Sequence, residues 1–365
     1  MPQFLSLPLL KLLLLVFIPL SIAAKWLDWG TLAVFLTSAL AIVPLSLWLS
    51  TATEKVAIVT GPSVGGLVNA IFGNATVLII TLIALREGLV DLVKASITGS
   101  ILSDLLLFLG AGMLAGGLRY KELEFQPILA RVNGSSMTLA ACAIALPTMV
   151  IYTSNVVDAI AITNLSIIVA TVLAIVYGLT LLFSLKTHSY LYDVGLADEE
   201  NSDLSDTDKA KMPSLKVWLS VLLVSTVAVA YESELFVEVV ESAIQGLGLT
   251  PLFTGVILLP LISDVSGVVT VVRLALKNKM DLTVSVAMGD SLLISLFVAP
   301  CLVLVGQLMG QDMDLNFNPF EVVALAVAVT VSNLISFSGR SNWLNGILLL
   351  ATYIILGVAF YYHPA

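Results

Sequence analysis

Leu259-Pro260-Leu261-Ile262-Ser263-Asp264-Val265-Ser266-Gly267-Val268-Val269 decides how this chain is read. A carboxylate between two serines sits inside an apolar run that covers residues 252–276. On insertion scales, an aspartate at the centre of a membrane span costs at least about 2.5–3.5 kcal/mol. Such a residue needs a reason, and Pro260, just ahead of it, marks a break in the helix that would carry it.

The rest of the chain supports a membrane reading. Of its 365 residues, 59% are hydrophobic and 11% charged, and the mean hydropathy is +1.05. A soluble domain carries about 25% charged residues. The net charge of -9 and the apolar bulk exclude a nucleic-acid binder and a disordered chain. Long apolar runs such as Val217–Tyr231 and Gly346–Tyr361 do not alternate with polar residues. Helices therefore win over a barrel, since lipid leaves only those two ways to satisfy the backbone. Cys142 and Cys301 lie inside apolar runs with no disulfide or zinc spacing and read as small packing residues.

The expected fold is an all-α polytopic membrane protein with about 11 spans. They are placed at 4–24, 31–49, 56–85, 91–117, 133–152, 157–184, 214–231, 252–276, 282–307, 319–337 and 342–361. Leu12–Ala24 also has the look of a signal peptide, but a retained first helix is the reading taken. Four segments follow: an extra N-terminal helix (1–30), a five-helix unit (31–185), an acidic linker (186–213) and a second five-helix unit (214–365).

Lys55, Arg119, Lys121, Arg131, Lys186, Lys209, Lys211, Lys216, Lys277, Lys279 and Arg340 fall on one side of these spans. Only Lys25, Arg86 and Lys94 fall on the other. The positive-inside bias places the N-terminus and the linker in the cytoplasm and the C-terminus opposite. Arg273, near a span end, reads as a snorkelling residue. The linker's acids, Asp198 to Asp208, read as a solvated loop without the ligand order of an EF-hand.

The two units also repeat. Gly73-Asn74-Ala75-Thr76-Val77 aligns with Ser263-Asp264-Val265-Ser266-Gly267, Ala84-Leu85-Arg86 with Ala275-Leu276-Lys277, Asp91 with Asp281, and Gly99 with Gly289. Five helices per unit put the units in opposite orientations, as in the inverted repeats of secondary transporters.

Three aspartates lie deep in spans: Asp104, Asp264 and Asp290. Ser100 and Ser103 precede Asp104, Ser263 and Ser266 flank Asp264, and Ser291 follows Asp290. Asn74 and Thr76 occupy the first repeat's counterpart of the Asp264 segment. These oxygen donors suit a hard cation such as Ca²⁺. His188 and His363 lie outside the spans, which argues against zinc or copper chemistry. Gly65, Gly66, Gly73 and Pro260 mark breaks beside the polar groups, although glycine also permits close helix packing. A carboxylate in such a site ligates a cation when ionised and takes a proton when the cation leaves.

At this point the chain resembles the Ca²⁺/H⁺ antiporters of the cation/Ca²⁺ exchanger superfamily. The stretches Gly65–Thr76, Val93–Ile101 and Gly116–Glu122 look like the first repeat of that family. Ala275–Leu282 and Leu296–Pro300 look like the second, and Lys186–Asp193 with the acidic linker also fits. The likeness covers nearly the whole chain. It implies a secondary cation/proton antiporter rather than an enzyme, with Ca²⁺ as cargo, no cofactor, and the cation, protons and lipid bilayer as its partners. It leaves the oligomeric state open.

The family pattern is Gly-Asn-x-x-Glu in both repeats, with the glutamates as central cation and proton ligands. Here those positions are Val77 and Gly267. Asp264 stands at the second repeat's Asn position, and Asp104 and Asp290 at two further positions that face the site in the family. The resemblance thus implies relocated acids: Asp104, Asp264 and Asp290 as cation or proton ligands, helped by Asn74, Thr76, Ser100, Ser103, Ser263, Ser266 and Ser291. Glu54 and Glu234 match acids at flanking helix ends, and two readings stay open for them: an access path, or simply interfacial residues. Three readings compete with Ca²⁺/H⁺ exchange: exchange of another cation such as Na⁺, a non-transporting regulatory homologue, and an intramembrane aspartyl protease. The last is disfavoured, because Met288-Gly289-Asp290 matches only half of the protease signature.

Overall fold

The computed structural model describes residues 14–154, 158–189 and 214–364. Most of the acidic linker, the start of the first expected span and residues 155–157 lie outside the described residues. Among the described residues, eight helices are long and apolar enough to cross a membrane, and a ninth span is a bent pair. Large apolar side chains stand outward along them, such as Leu223, Leu308 and Ile355. In a bilayer these faces meet lipid, so their exposure carries no solvation cost.

The chain forms two compact units, and each draws on both sequence repeats. The first comprises residues 1–96, 214–266 and 361–365. Its described part holds α1 (Phe17–Trp26), α2 (Thr31–Thr60), α3 (Pro62–Phe72), α4 (Ala75–Arg86) and the first half of α5 (Val90–Leu102). It also holds α9 (Leu215–Gly246), the short α10 (Pro251–Phe253) and α11 (Leu259–Ser263). Helices α2 and α9 pack along their length, with Phe35 stacked on Phe236 at 5.0 Å between centroids. Leu45, Leu49, Ala52, Val56, Ala75, Leu222 and Val229 form one buried cluster there.

The second unit comprises residues 97–213 and 267–360. A π-helical turn, Ser103–Phe108, joins α5 to α6 (Leu109–Tyr120). Next come α7 (Pro127–Ser154) and α8 (Ala159–Leu182), and then most of α12 (Val265–Leu276). Helix α13 (Met280–Leu293) runs through a further π turn, Ile294–Val298, into α14 (Ala299–Met309). Helices α15 (Pro319–Ser336) and α16 (Trp343–Tyr362) complete it. A two-stranded antiparallel ladder departs from the all-α expectation: β1 (Glu122–Glu124) pairs with β2 (Arg340–Asn342). Gly346 packs so tightly on α6 that a Cβ would lie 2.4 Å from the Leu114 nitrogen. At this position the packing role of glycine holds.

Several expected boundaries move. The span placed at 31–49 continues to Thr60, through the polar run Thr51-Ala52-Thr53-Glu54-Lys55. The hydroxyls of Thr51 and Thr53 donate to Leu47 O (2.7 Å) and Leu49 O (2.9 Å), so these polar residues stay helical. The span placed at 56–85 is instead the broken pair α3 and α4, and Gly61 (φ +82) with Pro62 ends the helix before it. The span placed at 214–231 runs on to Gly246, because acids read as loop residues find partners on neighbouring helices. Cys142 is exposed and Cys301 only half-buried, so Cys142 is not the packing residue expected. Arg273 is exposed in the last turn of α12, as snorkelling requires. Lys94, inside the span placed at 91–117, sits buried within α5.

Candidate functional site

Two helix breaks in the first unit carry the sequence-predicted residues. Asn74 separates α3 from α4 with φ -116 and ψ 33. Asp264 separates α11 from α12 with φ -126 and ψ 36. The two residues are aligned counterparts about 190 positions apart. They break their helices with nearly the same backbone geometry, and the second pair bends by 61°. Of the four π turns among the described residues, those at 103–108 and 294–298 recur at nearly the same offset. The repeat read from residue types thus recurs in these backbone irregularities, although the π turns at 183–187 and 254–258 have no counterpart at that offset.

A break leaves backbone groups without helical partners, so polar side chains gather where it occurs. Here they enclose a cavity of about 10 Å³, room for about one water-sized species. Asn74, Thr76, Ser263, Asp264 and Ser266, all candidates from the sequence, line it. All five are buried, Asp264 to 6% exposure. The Ser266 hydroxyl donates to Asp264 Oδ1 at 3.4 Å, and Ser263 donates to Leu259 O at 2.8 Å. The buried Asn74 Nδ2 has no hydrogen-bond partner in the protein.

Val77 lines the same cavity. The position at which the resemblance places the family's first glutamate thus does face the polar site, but with an apolar side chain. Sequence reading missed two lining residues, Ser46 and Ser50 of α2. Ser46, Ser50 and Glu54 follow one another at four-residue spacing, which puts them on one helix face. That spacing was the signal available. Glu54 itself is exposed further along this face.

In the second unit the structure brings Asp104 and Ser291 together. Asp104 is 1% exposed and lies in the first π turn. The Ser291 hydroxyl donates to its Oδ2 at 3.2 Å. Ser103, beside it, pairs with the Tyr353 hydroxyl at 3.2 Å. Ser100 is buried one turn earlier on α5. The half-buried Asp290 lies within electrostatic reach of Tyr177 on α8. Neither tyrosine was anticipated, since a tyrosine in an apolar run carries no sequence signal of its partner. Among the described residues, no three His, Cys, Asp or Glu side chains converge as a metal cluster. Any cation here would rely on hydroxyl and amide oxygens beside isolated carboxylates.

Glu234, a candidate for an access path, is ion-paired with Arg86 at 2.9 Å on an exposed face. Arg86 also meets Glu87, and Lys25 pairs with Glu238. These exposed pairs hold the ends of α1, α4 and α9 together and contribute about 0–1 kcal/mol each.

Repeated helix breaks with a carboxylate and an amide at corresponding positions define a helical membrane protein of the ion-transporter class. Comparison with known proteins gives the family: residues 30–186 and 217–362 match the sodium/calcium exchanger protein model, and the chain belongs to that family. It is 57% identical over 358 residues to a Ca²⁺/H⁺ antiporter of Aphanothece halophytica, covering 96% of each chain. It is 55% identical over 361 residues to a Ca²⁺/H⁺ antiporter of Synechocystis, covering 97% of each. Its structure is similar to that of native YfkE, with a TM-score of 0.82 and 33% identity, over 96% of this chain and 99% of that one.

Proposed function

We propose that this chain is a secondary active antiporter that exchanges Ca²⁺ for protons. The observation that carries the reading is the polar cavity at the paired breaks, with Asp264 and Asn74 at corresponding positions. Asp264 is the acidic ligand of that cavity, with Asn74, Thr76, Ser263 and Ser266 as neutral oxygen donors. Asp104 with Ser291, and Asp290, are the further cation- or proton-binding groups, supported by Ser100 and Ser103. The segments 31–185 and 214–365 act as inverted repeats, following the extra helix and joined by the linker. The Lys and Arg distribution supports a cytoplasmic N-terminus and linker with the C-terminus opposite. Glu54 and Glu234 border the access path in this reading.

Proteoliposomes holding the purified chain test it. An acidic interior should drive uptake of labelled Ca²⁺, and collapse of the pH gradient should abolish uptake. A second reading, a non-transporting homologue, is favoured by Val77 in place of an acid on the cavity wall. It requires that no cation move under any gradient, Na⁺ included, and that neutralising the three aspartates change nothing.

A further inference from the structure

Glu232 lies in the middle of α9, 1% exposed, and is not part of the cavity. Its Oε1 is 2.8 Å from the hydroxyl of Ser21 on α1. The same hydroxyl is 2.7 Å from Ile18 O. A serine hydroxyl carries one proton, so it cannot donate to both oxygens. If Glu232 is ionised, one of these two close contacts faces an acceptor with no hydrogen between. If Glu232 carries a proton, it donates to Ser21, and Ser21 donates to Ile18 O. Every contact is then a hydrogen bond.

The second carboxyl oxygen agrees. Glu232 Oε2 is buried without a hydrogen-bond partner. As part of a carboxylate it would hold uncompensated charge in an apolar wall; as the carbonyl of a neutral acid it costs far less. That wall is a groove lined by Ile18, Leu223, Val224, Val227 and Ala228, with Tyr231 beside Glu232.

Among the described residues, no cation on the packed helices is placed to compensate. Lys25 of α1 pairs with Glu238, and Arg86 of α4 pairs with Glu234 and Glu87. Glu54 and Lys55 sit far along α2. Phe35 stacks on Phe236 and Val56 shares a cluster with Trp218, so α2 and α9 are antiparallel. Glu54 and Lys55 are then about 20 Å along α2 from the level of Glu232, at about 1.5 Å per residue.

We infer that Glu232 is a second proton-binding site, distinct from the transport residues, and that its proton fastens α1 to α9 through Ser21. The sign follows from the geometry. The docked arrangement holds the proton, so docking is favoured at low pH and released as Glu232 ionises on raising pH. Helix α9 contributes Leu222 and Val229 to the cluster that also holds Leu49 and Ala75, which border the cavity residues. The proton at Glu232 therefore bears on the helices that frame the transport cavity. The inference rests on the α1–α9 contact and does not depend on which ion is carried.

The experiment uses the full chain in liposomes with Cys142 and Cys301 replaced by serine. Infrared difference spectra across a pH titration should show a protonated-carboxyl band in the parent that Glu232→Gln loses. In parallel, cysteines at positions 18 and 227 report docking by cross-linking yield. The parent yield should fall as pH rises, whereas Glu232→Gln, which is permanently neutral, should keep it high throughout. Ser21→Ala leaves the acid in place and should shift its band by removing the receiving hydroxyl. A spectrum unchanged by Glu232→Gln, a band unmoved by Ser21→Ala, or matching cross-linking profiles in the parent and Glu232→Gln would each overturn the inference.

Discussion

Asp264→Asn changes one atom in the side chain that supplies the cavity's acidic group. Asparagine keeps the size and one oxygen ligand of aspartate but neither its charge nor its capacity to take a proton. The cavity's other lining residues are hydroxyl, amide or apolar, so no neighbour substitutes for the charge. A Ca²⁺ ion sits about 2.4 Å from a ligating oxygen. The Coulomb energy between a divalent ion and a unit charge at that distance is about 3.5 kcal/mol in bulk water and about 14 kcal/mol at an effective dielectric of about 20. Stripping water from ion and carboxylate offsets most of the larger figure, so the smaller serves as a floor. It corresponds to a loss of about 300-fold in affinity.

Two assays read this loss. Equilibrium Ca²⁺ binding to the purified protein should weaken by at least that factor. Uptake driven by a pH gradient should vanish at Ca²⁺ concentrations that saturate the parent. Thermal unfolding without Ca²⁺ controls for misfolding, and an Asn variant that melts like its parent isolates the electrostatic effect. Asp264→Asn that still binds Ca²⁺ with parental affinity, or that still exchanges it for protons, would refute the assignment of Asp264.

Val77→Glu places an acid on the same cavity wall, at a side chain now 2% exposed. It should strengthen Ca²⁺ binding, yet destabilise the Ca²⁺-free protein by about 3–5 kcal/mol as an unpaired buried charge; melting curves with and without Ca²⁺ show both effects. Ser291→Ala removes the hydroxyl that donates to Asp104 and should cost about 1–3 kcal/mol of stability, read by thermal melting. Gly346→Ala drives a methyl into the Leu114 backbone and should destabilise by at least about 1–3 kcal/mol. Lys25→Ala, which breaks an exposed ion pair, should shift stability by less than about 1 kcal/mol.

The membrane class and the two breaks were legible because their signals are local. An aspartate, an asparagine, a glycine or a proline inside an apolar run is conspicuous, and Asn74 and Asp264 did mark the breaks. Helix ends were less legible. Thr51, Thr53 and Glu54 look like a loop in sequence, but the two threonine hydroxyls bond back along α2 and the helix continues. Glu232, Glu234 and Glu238 likewise look like a span's end until Ser21, Arg86 and Lys25 supply partners from distant parts of the chain. Ser46 was invisible for another reason: a serine in a span usually bonds its own helix, as Ser46 does to Val43 O at 2.8 Å. Only its spacing to Ser50 hinted that it also borders a cavity. A one-dimensional reading finds groups that break local rules and misses those whose meaning depends on a partner.

The placement of the acid bears on ion choice. In the family pattern that the resemblance implies, each repeat offers a glutamate one helical turn beyond an asparagine. Here the first repeat offers Asn74 and the apolar Val77, while the second puts its acid at the break itself, on Asp264. Each carboxylate at contact favours a divalent over a monovalent ion by about 7 kcal/mol of Coulomb energy at an effective dielectric of about 20. The greater cost of dehydrating a divalent ion opposes that gain. Removing one such carboxylate from the cavity wall therefore weakens Ca²⁺ binding about twice as much as Na⁺ binding, and so erodes the preference for Ca²⁺. The parent should then show Ca²⁺ uptake that excess Na⁺ inhibits, and Val77→Glu should relieve that inhibition. If Na⁺ inhibits neither protein, the carboxylate balance at positions 77 and 264 does not set selectivity.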